Sequence, residues 1–236
     1  MNCSKYIVLL SFICESCTLN PSSITKNEFG LEVYDKLAYY NFSVKKDSLK
    51  QMLLLKKHVP NLIFDWKYAT DNNFTKQVLY INPEAFMRIE AVMALQKVAI
   101  ELETKGLGLK IFDAYRPYSV TKKMWEVVPD DRYAANPAKG SGHNRGAAID
   151  LTLYDLKSGK ELLLPTPFDD FTERAHNDYM QLTPEVLNNR SILKNTMTKY
   201  GFIPLETEWW HFYLPNAAQR FELLDLDFKT MQKISK

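Results

Sequence analysis

Apolar residues return at helical spacing over three stretches of the chain. Between positions 83 and 105, Phe86, Ile89, Val92, Met93, Val98, Ala99 and Leu102 fall on one stripe, which predicts a helix over 83–105. Asn82 is placed to cap it, Pro83 suits its first position and Gly106 its stop. A second helix is expected from about Ser119 to just before Pro129. A third runs over 184–200, with Thr183 as cap, Gly201 as stop, and Val186, Leu187, Ile192, Leu193 and Met197 on its buried side. Short apolar or alternating runs predict strands at 109–114, 147–154, 161–164, 209–214 and 223–228, with Lys157-Ser158-Gly159-Lys160 as a hairpin turn. Helices and strands do not alternate regularly. That pattern predicts a single α+β domain with a small, mostly antiparallel sheet packed with helices, not a doubly wound fold.

Composition narrows the class. Of 236 residues, 46% are apolar and 25% charged, the balance of a chain with a real core, which excludes wholesale disorder and fibrous repeats. Thirty Lys and Arg face 28 Asp and Glu, a net charge of +2 with no basic cluster, so a nucleic-acid partner is not expected. The three cysteines, Cys3, Cys14 and Cys17, all lie in the first seventeen residues, so no downstream disulfide or thiolate metal site is available. Around them, Lys5 precedes an apolar run over 6–14 and then small and polar residues, the layout of a short export signal over 1–17. The alternative is an apolar first strand. The run is too short for a comfortable transmembrane span, and Cys17 is a candidate lipid-attachment site. A signal would send the protein to the periplasm or cell envelope; without it the expected location is the cytoplasm. Residues 18–60 mix aromatics with lysines and read as an N-terminal extension with a short helix before Pro60, leaving 61–236 as the main domain.

Three segments concentrate the chemistry: Ser141-Gly142-His143-Asn144-Arg145-Gly146-Ala147-Ala148-Ile149-Asp150, Glu208-Trp209-Trp210-His211, and Asp113-Ala114-Tyr115-Arg116-Pro117. Two imidazoles and a carboxylate, His143, His211 and Asp150, form a three-ligand zinc set that leaves a fourth position for water. In an extended strand Asp150 shares a face with Ala148 and Thr152, away from Ile149, Leu151 and Leu153. A lone Asp or His would more simply cap a turn or satisfy a carbonyl; the three together with Glu208 favour zinc. Glu208 is then the candidate general base and Arg116 the candidate stabiliser of an oxyanion. The competing role for Arg116 is a structural salt bridge to Asp113 or Glu208. Glu208 and His211 are three apart and would face opposite sides of a regular strand, so Glu208 is expected in a loop before a strand starting near Trp209, with Trp210 pointing away from the cleft.

The motifs Ser-x-His-x-x-Gly-x-Ala-x-Asp and Glu-x-Trp-His, with the Asp113–Pro117 segment, resemble the zinc D-alanyl-D-alanine dipeptidases, the group that includes the vancomycin-resistance dipeptidases. The stretch from Phe64 to Thr75 and Thr166-Pro167-Phe168-Asp169 resemble the same family, and the likeness covers about residues 62–228. The resemblance implies one zinc per chain on His143, Asp150 and His211, Glu208 as catalytic base, Arg116 as transition-state stabiliser, and Ser141 and Asp169 beside the substrate. The implied substrate is a small D,D-dipeptide, its ammonium held by Asp169, and 61–236 is the zinc peptidase domain. The histidine motifs are shared with D,D-carboxypeptidases and Hedgehog-type domains. The alternatives are therefore a carboxypeptidase or endopeptidase acting on longer peptidoglycan peptides, and a metal-stabilised binding module.

Overall fold

The computed structural model describes residues 24–234. In chain order they form β1 (Val33–Tyr34), α1 (Leu37–Lys46), β2 (Met52–Leu54), β3 (Leu62–Phe64), β4 (Phe86–Arg88), α2 (Ile89–Glu103), β5 (Leu107–Asp113) and α3 (Tyr118–Val127). There follow β6 (Ala148–Asp155), α4 (Pro184–Lys199), β7 (Ile203–Pro204), β8 (His211–Tyr213), α5 (Ala217–Arg220), β9 (Leu223–Leu224) and α6 (Phe228–Ile234). Five strands make the main sheet in the order β3-β5-β6-β8-β7; only β3–β5 is parallel. The architecture is α+β with a mostly antiparallel sheet.

The two longest strands carry the core because their side chains cannot stay in water. Leu109, Ile111, Ile149, Leu151 and Leu153 are fully buried against Leu95, Val98 and Leu102 of α2 and Leu193 and Met197 of α4. Each such aliphatic side chain contributes about 1.5–3 kcal/mol through its removal from water. The same strands carry polar residues on alternate positions. Ile111 pairs with Leu151, but the next pair is Asp113 with Asp150, so Phe112 is the extra residue of a bulge. Asp150 in turn pairs with His211. Asp113, Asp150 and His211 therefore form one row across β5, β6 and β8, and directly opposed residues share a face.

Several element boundaries differ from the sequence expectation. The helix expected over 83–105 begins at Ile89, because Phe86–Arg88 is a strand paired antiparallel with β2. Phe86 and Met87 are fully buried there, whereas Met93, expected on the buried stripe, is exposed. Asn82 sits at φ 48°, a left-handed position in the connecting loop rather than a cap. Thr183 does cap α4, its side chain accepting from the Val186 N–H. The expected strand at 161–164 shrinks to a single bridge, Tyr154 with Glu161, beyond a turn in which Gly159 takes φ 70°. The last expected strand ends at Leu224, and Phe228 opens α6.

Residues 24–60 pack into the body of the molecule. β1 pairs with β9, β2 with β4, and Met52 and Leu55 are fully buried. The leader expected at 1–17, with Cys17, lies outside the described residues. Among the described residues no helix is long and apolar enough to cross a membrane.

Gly146 shows how tightly the turn before β6 is built. It takes φ 65° to end the 3-10 turn His143–Arg145, and its carbonyl accepts from the Arg88 N–H at 2.8 Å. A Cβ at this position would collide with the Met52 thioether. Gly146→Ala should therefore cost about 1–3 kcal/mol from left-handed strain and overpacking, measured by chemical denaturation; a loss under about 0.5 kcal/mol, the scale of a neutral surface change, would contradict this.

Candidate active site

The row across the sheet ends in a cluster of metal-ligand type. His143 Nε2 lies 3.3 Å from His211 Nδ1 and 3.3 Å from Asp150 Oδ2, and His211 Nδ1 lies 2.8 Å from Asp150 Oδ1. All three donor atoms fall within 4.8 Å of one another. A tetrahedral ion bound at about 2.0–2.1 Å would set its donors roughly 3.3 Å apart, so the set fits a zinc-sized ion with slight opening of the His211–Asp150 pair. His143 is aimed by its other nitrogen, Nδ1, which is 2.7 Å from the Ala114 carbonyl. With a metal bound, donation there would leave the Nε2 lone pair facing the cluster, the orientation a metal ligand needs. Burial alone would raise the Asp150 pKa, but the two imidazoles outweigh it and hold the carboxyl below the usual range.

Arg116 follows the end of β5 and is buried beside this cluster. Its Nε and Nη2 donate to Asp113 Oδ2 at 2.9 and 2.7 Å, and Nη2 is 4.0 Å from Asp150 Oδ2. Burial opposes the charge most strongly, yet Asp113, Tyr80, Tyr68 and Asp150 together outweigh it and raise the pKa well above the ordinary arginine value. Ser141 Oγ accepts from the Asn144 N–H at 3.1 Å while the Ser141 N–H donates to Asn144 Oδ1 at 3.0 Å. Asn144 also donates to the Arg116 carbonyl at 2.9 Å, tying the histidine turn to the arginine segment.

A cleft of about 180 Å³ opens over the cluster, and Arg116, Ser141, His143, Asp150, Asp169, Glu208 and His211 all line it. Glu208 precedes β8 in a turn closed by the His211 N–H on the Glu208 carbonyl. That turn replaces strand alternation, so Glu208, Trp210 and His211 all reach the cleft; Trp210, expected to point away, lines it and packs on Phe168. The turn is anchored from below by Asn177, whose Nδ2 donates to the Leu205 carbonyl at 2.6 Å, and by the Trp209 N–H on the Ala175 carbonyl. Asp169 sits at φ 62° and accepts from the Tyr68 hydroxyl at 3.1 Å, while its Oδ2 is buried without a partner. Burial raises the Glu208 pKa to about 7 against the pull of His211, and burial with the nearby Asp150 charge raises Asp169 to about 7.

His143, Asp150, His211, Glu208, Arg116, Ser141 and Asp169 thus line one cleft, while His58 and His176 do not. Tyr68 is the contributor sequence reasoning left unassigned: it bonds Asp169 and carries the Arg116 guanidinium 5.3 Å over its ring. Its place within the Phe64–Thr75 motif was the available signal.

This fold and a His-Asp-His centre flanked by carboxylates and an arginine define a metallopeptidase. A family model described as D-ala-D-ala dipeptidase matches residues 48–234. The chain is 38% identical over 159 residues to the D-alanyl-D-alanine dipeptidase of Escherichia coli (strain K12), covering 67% of this chain and 82% of that one. It is 32% identical over 182 residues to that of Enterococcus faecalis (strain ATCC 700802 / V583), covering 69% and 90%. A third, from Enterococcus faecium, is 30% identical over 186 residues, covering 70% and 92%. The chain belongs to the D-alanyl-D-alanine dipeptidase family.

The raised carboxyls carry a pH signature in the metal-free protein. Folded Glu208 and Asp169 keep protons up to about pH 7 that the unfolded chain releases near its ordinary values of 4.5 and 3.8. Their contribution is complete below the unfolded values and is lost as the pH rises through about 7. Thermal unfolding of metal-stripped protein across this window should show the parent losing stability relative to Glu208→Gln as pH rises. Parallel curves would contradict the shift of Glu208.

Proposed function

We propose that the protein is a zinc-dependent dipeptidase that hydrolyses D-alanyl-D-alanine. The observation that carries this reading is the buried, unpartnered Asp169 Oδ2 in the same small cleft as the His143, Asp150 and His211 set. A carboxylate oxygen without a donor suits a substrate ammonium, and a cleft of about 180 Å³ is well under the usual size of drug-sized ligand pockets. Together they favour a substrate whose free amino group lies close to the scissile bond. That separates a dipeptide from the longer peptidoglycan peptides of a carboxypeptidase or endopeptidase.

His143 Nε2, His211 Nδ1 and an Asp150 oxygen would hold the zinc, which supplies a Lewis acid and lowers the pKa of a water. The Glu208 carboxylate accepts a proton from the attacking water and returns it to the leaving amine nitrogen. Arg116 keeps a fixed positive charge beside the scissile carbonyl as its oxygen gains charge. Ser141 shapes the wall by holding the histidine turn. Asp169 pairs with the ammonium and sets the register of the substrate. Export through the leader at 1–17 would place this activity in the periplasm or cell envelope.

Turnover of D-Ala-D-Ala should be lost with a zinc chelator and restored by zinc. N-acetylated dipeptide and a D-Ala-D-Ala-terminated pentapeptide should be cleaved far more slowly; equal rates on these would move the function to carboxypeptidase. Asp169→Asn should raise KM on the order of 10–100-fold, the worth of a hydrogen bond to a charged group. Glu208→Gln should keep its metal and lose on the order of 10²-fold or more in kcat; loss of metal as well would make Glu208 a structural support.

A further inference from the structure

Arg116 has a choice of carboxylates. Asp113 and Asp150 stand opposite each other in the row across the sheet, and the guanidinium lies beside both. It is 2.7 Å from Asp113 Oδ2 and 4.0 Å from Asp150 Oδ2. A flexible cation drawn onto Asp150 would compete for oxygens that a metal ligand must offer. What prevents this is the rigidity of Asp113. Its carboxylate is fully buried, and Oδ1 accepts from the Tyr80 hydroxyl at 2.8 Å and from the Ala114 N–H at 2.9 Å. Oδ1 is thus fixed from two directions, leaving Oδ2 aimed at Arg116. Tyr80 is itself held edge-on between Tyr68, at 5.6 Å, and Phe228 of α6, at 5.0 Å.

We infer that Asp113 is a positioning residue for the reaction, locked by Tyr80 and turned into the row by the bulge at Phe112, and that it holds the Arg116 guanidinium off Asp150 and towards the cleft. The hydrogen bonds to Asp113 engage Nε and Nη2, which leaves Nη1 for the substrate. A planar fork held along one edge presents the other in a fixed direction, which lysine could not do. The neighbouring Ala114 carbonyl orients His143, so two successive residues set both the arginine and a ligand of the metal centre. The inference rests on the role given to Arg116 under the proposed function.

A double-mutant cycle tests it, with kcat and KM for D-Ala-D-Ala, metal content and thermal stability read on each protein. Asp113→Asn should lose on the order of 10²-fold in kcat, as when an oxyanion donor is removed, with KM within about 3-fold and the metal retained. In an Arg116→Ala background the same change should cost less than about 3-fold, because a residue acting only through Arg116 has nothing left to position. It should also raise Tm there, since it removes a buried carboxylate that has lost its cation. A merely structural role would cost the same factor in both backgrounds, and that result overturns the inference. So does Asp113→Asn with parental kcat. Tyr80→Phe removes one hydroxyl, keeps the ring contacts and runs through the same cycle, so the question stays answerable if Asp113→Asn does not fold. A parent that leaves D-Ala-D-Ala intact refutes the proposed function instead; the Tm cycle still reads the Asp113–Arg116 coupling, and additive Tm changes overturn it.

Discussion

Asp150 is a carboxylate enclosed in the middle of a β-sheet, and the rest of the site is organised around answering its charge. An unpaired buried carboxylate is strongly unfavourable, and a group so placed either takes a proton or gathers cations and donors. Here it gathers them. His143 and His211 lie within 3.3 Å of its oxygens and Arg116 stands at 4.0 Å. The tight glycine turn before β6 delivers the first histidine, strand pairing with β8 the second, and the bulge in β5 brings in the carboxylate that restrains the arginine.

The same burial acts oppositely on the other two carboxyls. Glu208 and Asp169 sit on loops at the cleft wall, where burial and the Asp150 charge outweigh their cationic neighbours and both pKa values rise to about 7. One small cleft therefore contains a carboxylate held ionised and two others poised near neutrality. Such a separation divides labour: the first kind suits a metal, the second suits proton transfer or pairing with an ammonium. The loops that carry them are held by long-range bonds, Tyr68 to Asp169 and Asn177 to the Glu208 turn.

What could be read from the chain alone was the local chemistry. His143 and Asp150 are seven residues apart around a glycine turn and an alternating strand, and Glu208 and His211 are three apart, so both motifs are complete within short windows. The Phe112 bulge was not visible, because register belongs to a pair of strands rather than to either one. The start of α2 was misplaced for a related reason. Phe86 fits a helical stripe as well as a buried strand, and only its pairing with Leu54 decides between them. The Tyr68–Asp169 bond spans 101 residues and has no local signature. Nor does the pairing of β1 with β9, which ties residues 33–34 to the far end of the chain.

The most direct test of this account is the stoichiometry of zinc on metal-stripped protein, followed by titration at neutral pH in the parent and in Asp150→Ala. One tightly held ion per chain in the parent, and none in the variant with the fold retained, is the expected result. Stoichiometric zinc on Asp150→Ala with parental affinity, or no stoichiometric zinc on the parent, would contradict the assignment of the metal centre to His143, Asp150 and His211.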